Sequence, residues 1–203
     1  MTRARLIRAV AACATAGAVV LGASACSSDP NSVANQAKSG DRKGYISGDG
    51  RIAAFPAADR KDPVDLHGTT LDGKTWSAAD HRGDVIVVNL WASWCGPCAK
   101  EAPDLVATHQ KFAKDKAPVT FIGIDYREPS VETGRAQAKA WGFTYPSLFD
   151  ASGETALMLD GKMTTQPSTA VLDTQGRIAA VVLGVVDHST LTGLVEDTLA
   201  ESA

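Results

Sequence analysis

Two cysteines separated by two residues are the part of this sequence best suited to chemistry. Cys95 and Cys98 lie in the segment Trp-Cys-Gly-Pro-Cys, directly after the apolar run 85–91. The run predicts a buried strand, and the residues after it predict a helix that begins near Cys95. Unpaired N–H groups at a helix N-terminus favour a thiolate, and two thiols about one turn apart can close a disulfide. The spacing therefore predicts thiol–disulfide exchange, with Cys95 as the nucleophile and Cys98 as the resolving thiol.

Three other roles for such a pair are weaker. A zinc site needs a second pair of ligands, and none lies at suitable spacing, since the four histidines are scattered. Covalent haem attachment needs a histidine after the second cysteine, where Ala99 stands. A structural bridge that closes so short a loop would constrain little of the unfolded chain. The sequence predicts neither a metal nor a cofactor.

Residues 1–25 have the pattern of a secretory signal. Basic residues lie near the start, and the apolar run 9–21 is shorter than the ~20 residues that span a membrane. Small residues precede Cys26 and polar residues follow it, which resembles a bacterial lipoprotein signal. This resemblance implies lipidation at Cys26 and a location on the outer face of the cell membrane. Ordinary cleavage and an uncleaved anchor are the alternatives.

The rest of the chain divides into a predicted tether, 26–44, and one predicted domain, 45–203. The tether is rich in Ser, Asn, Asp, Lys and Gly and has almost nothing to bury. The remaining length is sufficient for a single core. The formal net charge is −3, and no basic patch indicates nucleic acid as a partner.

The order of predicted elements is typical of an α/β domain. Turn residues between short β-rich runs predict hairpins, apolar runs predict buried strands, and capping residues mark helix ends. Strand–helix–strand, helix–strand, then hairpin and helix predict a three-layer domain. The predicted strands are 64–69, 74–76, 85–91, 119–124, 145–149, 169–172 and 177–183, and the predicted helices are 95–113, 130–142, 154–159 and 190–200.

Four segments resemble the thioredoxin fold, in particular its membrane-tethered TlpA/ResA-like branch. They are 88–98 (VNLWASWCGPC), 100–105 (KEAPDL), 145–150 (YPSLFD) and 166–173 (QPSTAVLD), in that order. An N-terminal β-hairpin and a central strand–helix insertion are also similar to that branch. The resemblance implies a thioredoxin-like fold and an extracytoplasmic thiol–disulfide oxidoreductase of the actinobacterial ResA lipoprotein type.

Members of that group act in cytochrome c maturation, so the resemblance implies reduction of the haem-binding cysteines of apocytochrome c. It also implies recharging by a CcdA/DsbD-like membrane thiol donor. Two alternatives remain open: an oxidant for secreted proteins, which uses the same residues at a higher potential, and a redox-sensing lipoprotein without turnover. A peroxidase on the related peroxiredoxin scaffold would carry Pro-x-x-x-Thr-x-x-Cys, and residues 90–95 lack that threonine.

The resemblance also assigns contacts with the substrate. Pro167 matches the family's cis-proline, which faces the dithiol, and Gln166 before it would touch the substrate. Trp94 adjoins the nucleophile and is expected to shape the substrate surface. The implied substrate-binding residues are Trp94, Gly96, Pro97, Gln166 and Pro167.

Glu101 is the third predicted catalytic residue. It lies three residues after Cys98, and in ResA-like proteins a Glu at this place is a buried acid that assists proton transfer. A solvated helix Glu is the alternative. Asn89 stands where ordinary thioredoxins have a buried Asp, so the acid role passes to Glu101. Asp125 and Glu128, near a strand end, are interpreted as polar loop residues rather than catalytic groups.

Overall fold

A six-stranded sheet forms the centre of the part of the chain, residues 52–201, that the computed structural model describes. Its strand order is β1-β8-β7-β4-β5-β6, and β2 and β3 form a separate hairpin. The predicted signal peptide (1–25), the lipidation site Cys26, the tether (26–44) and the start of the domain at residue 45 lie outside the described residues.

The helices and strands have these bounds. The strands are β1 (Ile52–Ala54), β2 (His67–Thr69), β3 (Thr75–Ser77), β4 (Val85–Trp91), β5 (Val119–Tyr126), β6 (Ser147–Asp150), β7 (Ser168–Leu172) and β8 (Ile178–Leu183). The α-helices are α1 (Gly96–Lys114), α2 (Val131–Ala140) and α3 (His188–Ala200). Short 3₁₀ helices cover Ala57–Asp59, Ala78–His81 and Thr155–Met158.

The central strand β4 carries the site. All of its side chains are buried, because it lies between β5, to which it runs parallel, and β7, to which it runs antiparallel. A buried strand of this kind has apolar residues on both faces, as the sequence predicted. Since β4 and β5 are parallel, their carboxyl ends meet at one edge of the sheet, where Trp91 is paired with Asp125. The connections from β4 to α1 and from β5 to α2 therefore begin side by side.

The alternation of β4 side chains separates two layers of core. Val85 and Val87 pack with residues of α1 and α3 on one face. Ile86, Val88 and Leu90 pack with the hairpin segment and the 3₁₀ helix at 155–158 on the other. Helices on one face and a hairpin with a 3₁₀ turn on the other give three layers. The predicted thioredoxin-like α/β fold is thus confirmed.

Helix ends follow the predicted signals. The Ser130 hydroxyl accepts a hydrogen bond from the backbone N–H of Thr133 at 3.2 Å and caps α2, while Gly142 ends it with φ +76°. The predicted helix at 154–159 is only a 3₁₀ turn, which ends before two residues with positive φ, Asp160 and Gly161. None of the helices within residues 52–201 has the length and apolar character needed to span a bilayer.

Candidate active site

The dithiol lies at the start of α1. Cys95 is the residue before the first turn, and its Sγ accepts a hydrogen bond from the backbone N–H of Cys98 at 3.2 Å. The two residues form a disulfide with a Cα–Cα distance of 5.3 Å. Pro97 lies in the first turn, where its missing N–H leaves no helical bond unmade. The helix start predicted at Cys95 is confirmed, and an otherwise unpaired N–H of the first turn, that of Cys98, faces its sulphur.

Exposed residues surround a nearly buried sulphur. Cys95 is 5% exposed and Cys98 is 2% exposed, whereas the neighbouring Trp94 is 57% exposed. Gly96 and Pro97 are exposed as well. A client disulfide must therefore reach Cys95 across the surface that these predicted contact residues form.

Pro167 lies beside the end of β4. The Gln166–Pro167 peptide bond is cis, as the resemblance implies. Because Leu90 of β4 is paired with Ser168 of β7, Pro167 stands opposite the last residue of β4. Pro167 is buried and its carbonyl accepts a hydrogen bond from the N–H of Gly184 at 2.8 Å. The predicted contact pair thus borders the strand that leads to the dithiol.

Glu101 is fully buried, one helical turn after Cys98. Its Oε1 accepts a hydrogen bond from the side-chain amide of Asn89 at 2.7 Å, and its Oε2 accepts one from the N–H of Val186 at 2.9 Å. Burial raises the pKa of Glu101 from 4.5 to about 7, although both hydrogen bonds act in the opposite direction. The predicted burial is confirmed, and this carboxyl can gain or lose a proton near neutral pH.

Asn89 is the uncharged partner of that acid. Its Nδ2 donates to Glu101 and also to the Thr169 hydroxyl at 3.2 Å. Its Oδ1 is buried and has no hydrogen-bond partner among the described residues. An amide cannot titrate, so in this pair the proton is gained and lost by Glu101.

Glu128 is a site residue that the sequence interpretation missed. It is buried, and its carboxylate accepts hydrogen bonds from both the N–H and the hydroxyl of Ser93, at 2.9 and 2.8 Å. Asp125 is fully buried beside it. The signal that was available was topological: Asp125 lies near the carboxyl end of β5, Glu128 follows that strand, and the carboxyl end of β5 meets that of β4. Asp125 is therefore a buried strand residue, and Glu128 is a buried residue of the loop that follows.

The arrangement is suited to two-electron exchange through sulphur. A dithiol at a helix N-terminus can attack a disulfide, and a carboxyl one turn away can move the proton of the second thiol. Within residues 52–201, no three His, Cys, Asp or Glu side chains are grouped as ligands for a metal ion.

Comparison with known proteins gives a consistent picture. The model of the AhpC/TSA family matches residues 58–181. The thioredoxin-like protein YneN of Bacillus subtilis is 32% identical over 117 residues, which are 58% of this chain and 66% of that protein. The thiol-disulfide oxidoreductase ResA of Bacillus subtilis is 22% identical over 120 residues, 59% of this chain and 64% of ResA. The chain thus spans slightly less than two thirds of each of these relatives.

One solved structure matches this chain over nearly all of its own length. The secreted thiol-disulfide isomerase of Corynebacterium glutamicum superposes with a TM-score of 0.70 at 31% sequence identity. The match covers 76% of this chain and 95% of that one.

Proposed function

This chain belongs to the AhpC/TSA family, and from this membership and the geometry of the dithiol we propose that it is an extracytoplasmic protein-disulfide reductase. Its relatives include thiol–disulfide oxidoreductases. The proposed clients are disulfide-containing proteins, most specifically apocytochrome c before haem attachment. Cys95 and Cys98 carry the reaction, and Glu101 serves it as acid and base.

The groups around Cys95 and Cys98 support the proposal that the protein reduces its clients rather than oxidising them. Strong disulfide oxidants hold a stabilised thiolate, which favours their reduced form. The helix N-terminus favours a Cys95 thiolate, but the side chains packed against the pair are those of Leu71, Trp91 and Ala92, which add no further stabilisation of charge. The ionisable group one turn away is a carboxyl, Glu101, whose negative form opposes a second negative charge. Such surroundings favour the disulfide state, so the reduced protein tends to give its electrons away.

The proposed cycle balances in two steps. The Cys95 thiolate attacks one sulphur of the client disulfide, forms a mixed disulfide and displaces the first client thiolate, which takes up a proton. Cys98 then loses its proton to Glu101 and attacks the Cys95 sulphur, so that the second client thiolate leaves and takes up that proton from Glu101. The client gains two electrons and two protons, and the protein ends as the Cys95–Cys98 disulfide. A CcdA/DsbD-like membrane thiol donor is proposed to restore the dithiol.

The proposed location is the outer face of the cell membrane. A lipid on Cys26 would anchor the domain, and the tether 26–44 would let it reach clients. The signal-like N-terminus supports this proposal. So does the Corynebacterium glutamicum neighbour, which is described as secreted.

Peroxide reduction is not proposed, although the family name includes such enzymes. In the pattern Pro-x-x-x-Thr-x-x-Cys, Val88 and Ala92 stand in place of the proline and the threonine. Ala92 is buried against Trp91 and has no hydroxyl to offer a peroxide.

A second candidate is disulfide formation or isomerisation in secreted proteins. The observation that favours it is the structural neighbour from Corynebacterium glutamicum, a thiol-disulfide isomerase matched over 95% of its length. This function uses the same residues but requires a higher potential, because for two electrons about 30 mV changes the equilibrium constant tenfold.

Direct exchange with apocytochrome c distinguishes the two directions. We expect the reduced protein to open the disulfide of oxidised apocytochrome c, and the oxidised protein to leave reduced apocytochrome c largely unchanged. Alkylation of the freed thiols followed by mass measurement gives both rates, and Cys95→Ser is the control. Faster transfer in the oxidising direction would overturn the reductase proposal, and slow transfer in both directions would favour the redox sensor.

A further inference from the structure

We propose that Glu128 is a positioning residue that fixes the nucleophile Cys95 through Ser93, an inference that rests on the proposed thiol exchange. The hydrogen bonds that Glu128 accepts in the site come from Ser93, not from either cysteine. Its effect passes through the short connection between β4 and α1.

The connection that presents the nucleophile is a tight turn. The N–H of Cys95 donates to the carbonyl of Ala92 at 3.1 Å, so Ser93 and Trp94 occupy the two central positions of a four-residue turn. Any movement of Ser93 therefore moves both the exposed Trp94 ring and the Cys95 sulphur. Nothing within the turn itself pairs the N–H of Ser93.

Glu128 supplies that pairing twice. One oxygen accepts from the Ser93 N–H at 2.9 Å and the other accepts from the Ser93 hydroxyl at 2.8 Å. Hydrogen bonds to a charged acceptor are stronger than neutral ones, and two of them from one residue fix its backbone and its side chain together. Glu128 is itself 1% exposed, so water does not compete for these bonds.

The chain turns sharply to bring Glu128 into place. Arg127, directly after β5, has φ +50°, a left-handed conformation that is uncommon for a residue other than glycine. Its N–H donates to the carbonyl of Asp150 at 2.6 Å, which fixes the turn to the end of β6. Backbone strain of this kind persists only where the surroundings hold it, and here its consequence is a carboxylate directed at Ser93.

Asp125 lies beside Glu128 and is placed to donate a hydrogen bond to it. Both of its oxygens are buried without a conventional donor among the described residues. Two carboxyls can share a hydrogen bond only when one of them is protonated. Burial, then the neighbouring Glu128 and finally Asp150 raise the pKa of Asp125 to about 8. A protonated Asp125 donates to Glu128 at neutral pH and leaves its charge available to Ser93.

The remaining side of Asp125 is closed by α2. A Cβ at Gly134 would stand 1.8 Å from Oδ2 of Asp125, so only a glycine lets the helix pack there. The cation nearest along α2, Arg135, donates to the carbonyl of Leu71 and lies near Asp72. The charged groups that face Asp125 are thus the carboxyls Glu128 and Asp150.

Glu128→Gln in the full chain tests the proposal, with Glu132→Gln as the matched control. Glu132 is exposed on α2 and undergoes the same loss of charge. The amide that replaces the carboxylate accepts through one atom only, so one bond to Ser93 is lost. We expect the plateau rate of exchange with a disulfide protein to fall about tenfold, since misplacement of a reacting group is costly. Alkylation of Cys95 by iodoacetamide is expected to rise, because a loosened turn exposes the sulphur.

The pH profile separates positioning from general loss of structure. We expect the wild-type plateau to decline above about pH 8, where Asp125 becomes charged, and Asp125→Asn to remove that decline. Ser93→Ala deletes only the hydrogen bond from the Ser93 hydroxyl, and it is expected to slow exchange by about threefold. It replaces Glu128→Gln as the test variant if Glu128→Gln does not fold.

Two outcomes decide against the proposal or against its premise. Exchange and alkylation rates of Glu128→Gln and Ser93→Ala within about twofold of Glu132→Gln would overturn it, because a lost charge-assisted bond changes a rate more than that. If the wild type itself fails to exchange, the proposed function fails. Faster alkylation of Cys95 in the Glu128→Gln variant would still establish the positioning role.

Discussion

Cys95→Ser is expected to abolish disulfide exchange, and Cys98→Ser is expected to accumulate a covalent complex with the client. Cys95 lies at the helix N-terminus beside exposed residues, so it makes the first attack. Without the Cys98 thiol, nothing resolves the mixed disulfide that Cys95 forms. Non-reducing electrophoresis of each variant with apocytochrome c measures both effects.

Cys26→Ser is the matched control for these two variants. Cys26 lies far along the chain from the pair, and its thiol has no part in the proposed cycle. We expect its exchange rate in solution to equal that of the wild type. Failure of Cys98→Ser to form any mixed disulfide, or residual exchange in Cys95→Ser, would contradict a two-thiol mechanism.

Glu101→Gln is expected to slow exchange by about 10²-fold, the lower end of the usual contribution of a positioned acid or base. Glutamine keeps the size of the side chain and can still accept from Asn89 or Val186, but it cannot take the proton of Cys98. The pH–rate curve of the wild type is expected to bend near pH 7, the pKa of Glu101, and the bend is expected to vanish in the variant.

Titration of the Glu101 carboxyl also makes the free energy of unfolding depend on pH. Its pKa rises from 4.5 to about 7 on folding, so the folded state holds this proton more tightly than the unfolded chain. The resulting stabilisation is complete below about pH 4.5 and is lost as the pH rises through about 7, at up to ~1.4 kcal/mol per pH unit. Glu101→Gln removes this dependence. Asp125, with the same sign, is present in both proteins and cancels in their difference.

Chemical denaturation at several pH values compares the wild type with Glu101→Gln and with the exposed control Glu132→Gln. The free energy of unfolding of the wild type is expected to fall relative to the Glu101 variant between about pH 4.5 and pH 7. Parallel curves would show that Glu101 titrates normally, and an unchanged pH–rate curve would remove it from the mechanism.

Local signals were sufficient to predict most of the fold. The apolar run at β4 predicted a buried strand because a strand covered on both faces has no polar side, and the caps at Ser130 and Gly142 marked α2. The short helix predicted at 154–159, with its end at Gly161, is a 3₁₀ turn at 155–158, because Asp160 and Gly161 both have positive φ and stop it after one turn. The resemblance supplied the cis bond before Pro167, which sequence spacing alone does not indicate.

The site was predicted only in part, for a physical reason. Cys95 and Cys98 are adjacent along the chain, so their spacing carries their chemistry. The contact between Glu128 and Ser93 joins residues 35 positions apart. It depends on the parallel register of β4 and β5 and on the left-handed turn at Arg127. The sequence placed Glu128 at a strand end beside the active-site edge. It does not indicate the left-handed turn at Arg127, so Glu128 was interpreted as a polar loop residue rather than a catalytic group.

The reduction potential of the Cys95–Cys98 pair is the most direct test of the central claim, that this dithiol donates electrons. Equilibration with glutathione or dithiothreitol buffers, followed by alkylation and mass measurement, gives its value. The apolar and carboxyl surroundings of the pair predict a potential at or below about −270 mV, the thioredoxin value. A potential near about −120 mV, typical of strong oxidants, would contradict the account and assign the protein to disulfide formation.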